Sequence, residues 1–169
     1  MDIETRVRRL EDTNEIRNLT TRYGLAMDNR DEQETRTMFT PDAVLTSKDG
    51  VFSAKGIESI VTTYRGRWEV LGATSHIVHG QIIEIDHSDP NRATGTVTSH
   101  AELDRNGKAM LVSLIYEDIY ERHEGIWKFA EREMGYFYYM PAEKYAEVML
   151  SPNRNLAYDN PLPADYPIT

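Results

Sequence analysis

The stretch RATGTVTSHAELDRNGKAMLVSLIYEDIYERHEGIWKFAEREMGYFYY (Arg92–Tyr139) decides the fold of this chain. It is rich in Ile, Val, Thr and Tyr, the residues that suit a pleated, half-buried surface. Asp104-Arg105-Asn106-Gly107 and His123-Glu124-Gly125 break it twice, and both breaks read as hairpin turns. Three strands follow from this, Arg92–Leu103, Lys108–Arg122 and Ile126–Tyr139. Upstream, Ser75–Ile85 has the same composition and ends in the polar segment Asp86–Asn91. The four strands therefore form an antiparallel meander.

N-terminal to the meander the pattern is helical. Ile3, Val7, Leu10, Ile16, Leu19, Tyr23 and Met27 recur at helical steps with charge between them. Asp12-Thr13-Asn14 could divide this run into two helices, with Thr13 or Asn14 as a cap. Glu32–Phe39 reads as a short helix that ends before Pro41, because a proline restricts the residue before it. Val44–Thr46 and Val51–Ala54 flank Lys48-Asp49-Gly50 as a small hairpin, and Ile57–Trp68 returns to a helix. The expected fold class is α+β, with helices covering one face of a curved sheet. Residues 1–140 form one domain. Residues 141–169 form a C-terminal extension, a short helix (Glu143–Leu150) followed by an arm punctuated by Pro152, Pro161, Pro163 and Pro167. That arm is either a loosely packed tail or a strap with Leu150, Leu156, Tyr158, Leu162 and Tyr166 as anchors, seated on a neighbour or closing a pocket mouth.

Composition limits the function classes. The 169 residues carry 19 Lys+Arg against 28 Asp+Glu, a net charge of −9. That balance argues against a nucleic-acid partner and an anionic membrane surface. Cysteine is absent, which removes thiolate zinc sites, disulfides and a cysteine nucleophile. No apolar run reaches membrane-spanning length. The charged first ten residues do not read as a secretory leader, so a cytoplasmic protein is expected. There is no Gly-rich phosphate loop, HExxH or nucleophile elbow.

The chemical candidates are polar residues at positions where the pattern expects core. Asp28 ends the first helical run, where the helix dipole does not favour a carboxylate. It is either a solvated helix-end residue or a functional one. His76 opens an Ile/Val-rich strand and is either a satisfied core histidine or a base suited to proton transfer at neutral pH. His79 lies an odd step away, on the opposite face, so a two-histidine metal site is opposed and no metal is expected. His100 reads as solvent-facing. Arg132 has the parity opposite to the core residues Trp127 and Phe129, and it turns inward only if a bulge intervenes. Asp118 could pair with it across the hairpin. Thr94, Thr96, Thr98, Val112 and Leu114 are read as a partly apolar outer sheet face that suits a homo-oligomer, a dimer or a trimer.

Several segments resemble a known family. EIRNLTTRYGLAMDNRDEQETRTMFTPDAVLTS (Glu15–Ser47), GIESI (Gly56–Ile60), TSHIVHGQIIEI (Thr74–Ile85) and YEDIYERHEGIWKFAER (Tyr116–Arg132) are similar to the SnoaL-like proteins of the nuclear transport factor 2-like superfamily. The resemblance covers roughly residues 5–140. It implies a cone-shaped α+β barrel, with helices packed into a strongly curved, mostly antiparallel sheet around one deep pocket. The nearest branch contains scytalone dehydratase, bile-acid 7α-dehydratase and hexachlorocyclohexane dehydrochlorinase, in which an Asp late in the first helix and a His opening a strand form a dyad. Asp28 and His76 stand at those positions. Tyr23 and Arg132 match a pocket Tyr and a late-strand Arg of the branch. His100 falls near a second catalytic His of scytalone dehydratase without matching its register, and Met27 replaces that enzyme's Tyr.

The resemblance implies a cofactor-free lyase of dehydratase or dehydrohalogenase type. His76 would remove a proton from a hydrophobic cyclic small molecule, Asp28 would hold the imidazole, and Tyr23 and Arg132 would serve the leaving group and the developing charge. Met27, Phe39, Tyr136 and Tyr138 are expected to wall the pocket. The alternatives are an isomerase using the same base, or a non-catalytic module that binds a small molecule or serves in assembly, since fold does not fix function.

Overall fold

The computed structural model describes residues 2–167. Helix α1 (Ile3–Asn29) is capped by the Asp2 carboxylate, which accepts from the Thr5 amide. It runs unbroken through Asp12-Thr13-Asn14, contrary to the division expected there. The reason is tertiary: the Asp12 carboxylate is buried and accepts hydrogen bonds from the Arg122 guanidinium and the Trp127 indole, so it stabilises the helix it was expected to interrupt. Helix α2 (Glu32–Met38) leads into strand β1 (Phe39–Ser47), which pairs with the short β2 (Ser53–Lys55). Helix α3 (Ile57–Val70) then precedes the meander of β3 (Leu71–Ile85), β4 (Arg92–Arg105), β5 (Lys108–His123) and β6 (Ile126–Pro141).

The sheet has six strands in the order β2-β1-β6-β5-β4-β3. All neighbours are antiparallel except β1 and β6, which run parallel. It is mixed, mostly antiparallel and open between β2 and β3, with the helices packed against it, the α+β fold that was expected. The β4–β5 and β5–β6 turns place Asn106-Gly107 and Glu124-Gly125 at positive φ, the type I′ geometry that matches strand twist.

Two bulges in β6 set which side chains face the helices. Tyr120 pairs with Phe129, but Ile119 pairs with Glu131, so Ala130 is the extra residue. Leu114 pairs with Tyr136 and Ser113 with Tyr138, so Phe137 is extra. Each extra residue flips the alternation downstream of it. Trp127 and Phe129 point inward before the first bulge, Arg132, Met134 and Tyr136 after it, and Tyr139 after the second. Val112 and Leu114 also belong to the inner face, not to the outer one they were assigned by composition.

The main core joins Ile16, Leu19, Tyr23, Met38, Phe39, Leu45, Ile60 and Phe129 between the helices and the sheet. A second cluster, Tyr138, Met140 and Val148 with Leu111, Phe137 and Leu156 around it, lies under helix α4 (Tyr145–Val148). Beyond that helix the chain returns along β6. Leu156 donates its amide to Tyr139 O, the Asp165 amide donates to Tyr136 O, and buried Asn155 bonds the Asp49 carboxylate. Leu150, expected as an anchor, is 89% exposed. No described helix is long and apolar enough to cross a membrane.

Candidate active site

Helix α1 and strand β3 bring Asp28 and His76 together. Gly24 lies one turn before Asp28 on the same helix face. A Cβ built on Gly24 would stand 3.4 Å from the His76 Cβ, so the glycine gives the close approach of helix to strand. At the helix end Arg30 adopts a left-handed conformation, and its guanidinium donates to Leu71 O and Gly72 O at the start of β3. The Asp28 carboxylate then accepts three hydrogen bonds. One Oδ is 2.6 Å from His76 Nδ1 and 2.8 Å from the Thr74 hydroxyl, and the other is 2.9 Å from the His76 amide. Burial pushes the Asp28 pKa up, but the bonds from the His76 ring, the His76 amide and Thr74 outweigh it and hold the carboxyl below its ordinary value. An ionised Asp28 fixes the proton of a neutral His76 on Nδ1 and leaves Nε2 as the basic nitrogen.

His76 lines a cavity of about 300 Å³ between α1, α3 and the inner sheet face. The walls are largely apolar and aromatic, with Met27, Tyr64, Trp68, Leu103, Leu114 and Tyr116 among them. Tyr23 also lines it, and its hydroxyl is 2.7 Å from that of Tyr64. Burial keeps the Tyr64 phenol well above its ordinary pKa, so Tyr64 holds its proton at neutral pH. Burial also pushes Tyr136 up to about 12.

Of the residues expected here, Tyr23, Met27, His76 and Tyr136 line the cavity, and Asp28 stands behind His76. Three expectations are corrected. Arg132 does turn inward, through the bulge at Ala130, but it lies outside the cavity lining. Its Nε and Nη2 donate to Asp118 at 2.8 and 2.7 Å, and its guanidinium carbon sits 4.0–4.2 Å from the ring centres of Phe129, Tyr116 and Tyr23. It supports the wall from behind. Phe39 packs into the core against Phe129, with ring centres 5.2 Å apart, and does not reach the cavity. Tyr138 is turned to the outer cluster by the bulge at Phe137, and Tyr139 takes its place on the inner face. On the outer face His79 Nε2 lies 2.7 Å from His100 Nδ1, remote from His76 by strand alternation. Among the described residues no group of three His, Cys, Asp or Glu side chains could hold a metal.

The sequence reading missed Tyr64, Arg67, Trp68, Arg105 and Tyr116 of the lining. For the α3 residues a signal was present. Tyr64 and Arg67 follow Ile60 by four and seven positions, so Arg67 continues the buried stripe, whereas Arg65 is out of phase and pairs with Glu32 at the surface.

The comparisons agree with this architecture. Residues 8–133 match the family model of the SnoaL-like domain. A gamma-hexachlorocyclohexane dehydrochlorinase from Sphingobium indicum is 25% identical over 118 residues, 69% of this chain and 75% of that protein. Among solved structures, a type 2 hexachlorocyclohexane dehydrochlorinase superposes with a TM-score of 0.74 at 22% identity, covering 80% of this chain and 91% of that one. A scytalone dehydratase-like protein from Novosphingobium aromaticivorans gives 0.72 at 20% identity, covering 79% and 89%. At such identities the structural likeness shows the fold.

Proposed function

This chain belongs to the SnoaL-like domain family, and from that premise and the geometry above we propose that it is a cofactor-free lyase acting on a hydrophobic cyclic small molecule. The observation that carries the reading is the 2.6 Å contact between Asp28 and His76 Nδ1, in a histidine that lines an apolar cavity. His76 Nε2 takes a proton from a ring carbon, the electron pair of that C–H bond becomes the new C=C bond, and the group on the neighbouring carbon departs with its bonding pair. The imidazolium that forms is stabilised by Asp28, which acts through His76 as a positioning residue. For a hydroxyl leaving group, the Tyr23–Tyr64 hydroxyl pair supplies the proton. The dehydrochlorinase relative supports elimination as the reaction type. Self-association through the outer sheet face, where Ile77 and Ile82 are exposed, belongs to the same reading.

The test is a panel of chlorinated and hydroxylated cyclic compounds, followed by NMR in deuterated water. Turnover releases halide or water. Isomerisation instead shows deuterium moved along the ring with no leaving group lost. His76→Ala should lower kcat by about 10²–10⁴-fold, the usual share of a general base. Full turnover in a folded His76→Ala protein would remove the assignment.

A further inference from the structure

We infer that this cavity selects a ring that carries a carboxylate, and that Arg67 is the side chain that receives it. The inference rests on the reading of the cavity as the substrate site and names what the site prefers.

The first observation is the charge of the walls. The chain as a whole is acidic, at −9, yet no Asp or Glu lines the cavity. The cationic groups among its described lining residues are Arg67 and Arg105. A low-dielectric cleft lined by one sign of charge focuses its field on an entering ion of the other sign.

The second observation is the state of Arg67. Three other inward or half-buried arginines have carboxylates, Asp118 for Arg132, Asp12 for Arg122, Glu32 and Glu58 for Arg36, and Arg154 donates to three backbone carbonyls instead. Arg65, two residues away on the same helix, has Glu32. Among the described residues no carboxylate lies within 4.0 Å of Arg67, although it is only partly exposed and lines the cavity. Its guanidinium carbon lies 4.2 Å from the Phe52 ring centre, Nη1 is 3.9 Å from Met134 Sδ, a weak acceptor, and the neighbouring Tyr136 hydroxyl is a neutral partner, not an anion. A guanidinium has five N–H donors in a fork that fits a carboxylate with two parallel bonds. Desolvating a cation beside aromatic rings without an anion is costly. A ligand carboxylate supplies the missing partner. Arg105 adds a second cation to the same walls, with Nη1 3.3 Å from the Tyr139 hydroxyl.

The test compares two probes of one shape, cyclohex-1-enecarboxylate and cyclohex-1-enecarboxamide, by calorimetric titration of the full chain at pH 7.5. Wild-type protein should bind the carboxylate at least about tenfold more tightly, the scale of one charge-assisted bond. Arg67→Met should erase that preference and Arg67→Lys should keep part of it. The Arg67 Nε–H resonance of the wild-type protein gives an answer that needs no variant, because it should move on adding the carboxylate and stay with the carboxamide. His76→Asn should keep the preference, so failure of the lyase reading and failure of this one are read separately. Equal affinity of the two probes, binding of neither at millimolar concentration, a static Arg67 resonance, or a preference that survives in folded Arg67→Met would each overturn the inference.

Discussion

The buried ion pair behind the cavity wall allows a quantitative test that needs no substrate. Both side chains of Arg132 and Asp118 are 0% exposed. Asp118 accepts two bonds from the guanidinium and a third, at 2.6 Å, from the Tyr120 hydroxyl, which itself accepts from Gln81. Arg132 Nη1 has no partner among the described residues. Removing Asp118 as Asp118→Ala strands a guanidinium among Tyr23, Tyr116 and Phe129, and removal of one partner from such a pair costs about 3–5 kcal/mol. For a chain of this length that is a fall in Tm of roughly 6–20 °C, from about 2–4 °C per kcal/mol. The double variant Asp118→Leu/Arg132→Met leaves no uncompensated charge, and swaps of this kind are neutral or stabilising by about 1–4 kcal/mol. The single variants Asp118→Leu and Arg132→Met should therefore sum to more than the double, with a coupling of at least about 2 kcal/mol. Urea denaturation followed by circular dichroism, with unchanged m-values, reads the whole cycle. A loss below about 1 kcal/mol in Asp118→Ala, or a double variant as unstable as the sum of the singles, would refute the argument.

Two further outcomes follow from the outer face and the C-terminal arm. Burial and the neighbouring His79 both lower the His100 pKa, so the unfolded chain takes up this proton first as pH falls. The native state then binds fewer protons, so stability drops as pH falls through the unfolded value near ~6.5. His79→Gln should shrink the fall in urea midpoint between pH 8 and pH 5, and parallel curves for the two proteins would speak against the coupling. Asn155 is 1% exposed and ties Asp49 to the arm, while Tyr158, three residues on, lines the cavity. Asn155→Ala should cost about 1–3 kcal/mol in urea denaturation and speed amide exchange at Leu156. Unchanged exchange there would show that the arm is held by other contacts.

The parts of this fold that local chemistry decides were open to a reader of the sequence. Asn106-Gly107 and Glu124-Gly125 mark the hairpins because only a few residues tolerate two successive positive φ values. The meander and its strand order follow from those turns, whereas the pairing of Asp118 with Arg132 needs the extra residue Ala130. What was not open depends on contacts far along the chain. Nothing near Asp12 announces Arg122 and Trp127, more than 100 residues away, so a helix that runs straight through looked divided. Nothing near Ala130 or Phe137 marks a bulge, and one extra residue exchanges Tyr138 for Tyr139 at the cavity wall.

The candidate dyad has the same divided origin. Asp28 and His76 are each visible as polar residues at the edge of apolar patterns, but their contact is made by less conspicuous neighbours. Gly24 costs the helix about 1 kcal/mol relative to alanine, and the missing Cβ is what lets α1 approach the backbone that carries His76. Arg30 then fastens the helix end to Leu71 and Gly72, five and four residues before His76 along the strand. The carboxylate faces the imidazole because these two positions fix the helix against the strand. The same logic reaches the opposite wall: the phase of α3 set by Ile60 and Tyr64 turns Arg67 inward and leaves Arg65 to Glu32. In an acidic chain the residue that helical phase withholds from the surface carboxylates is the one left to meet an anion from solution.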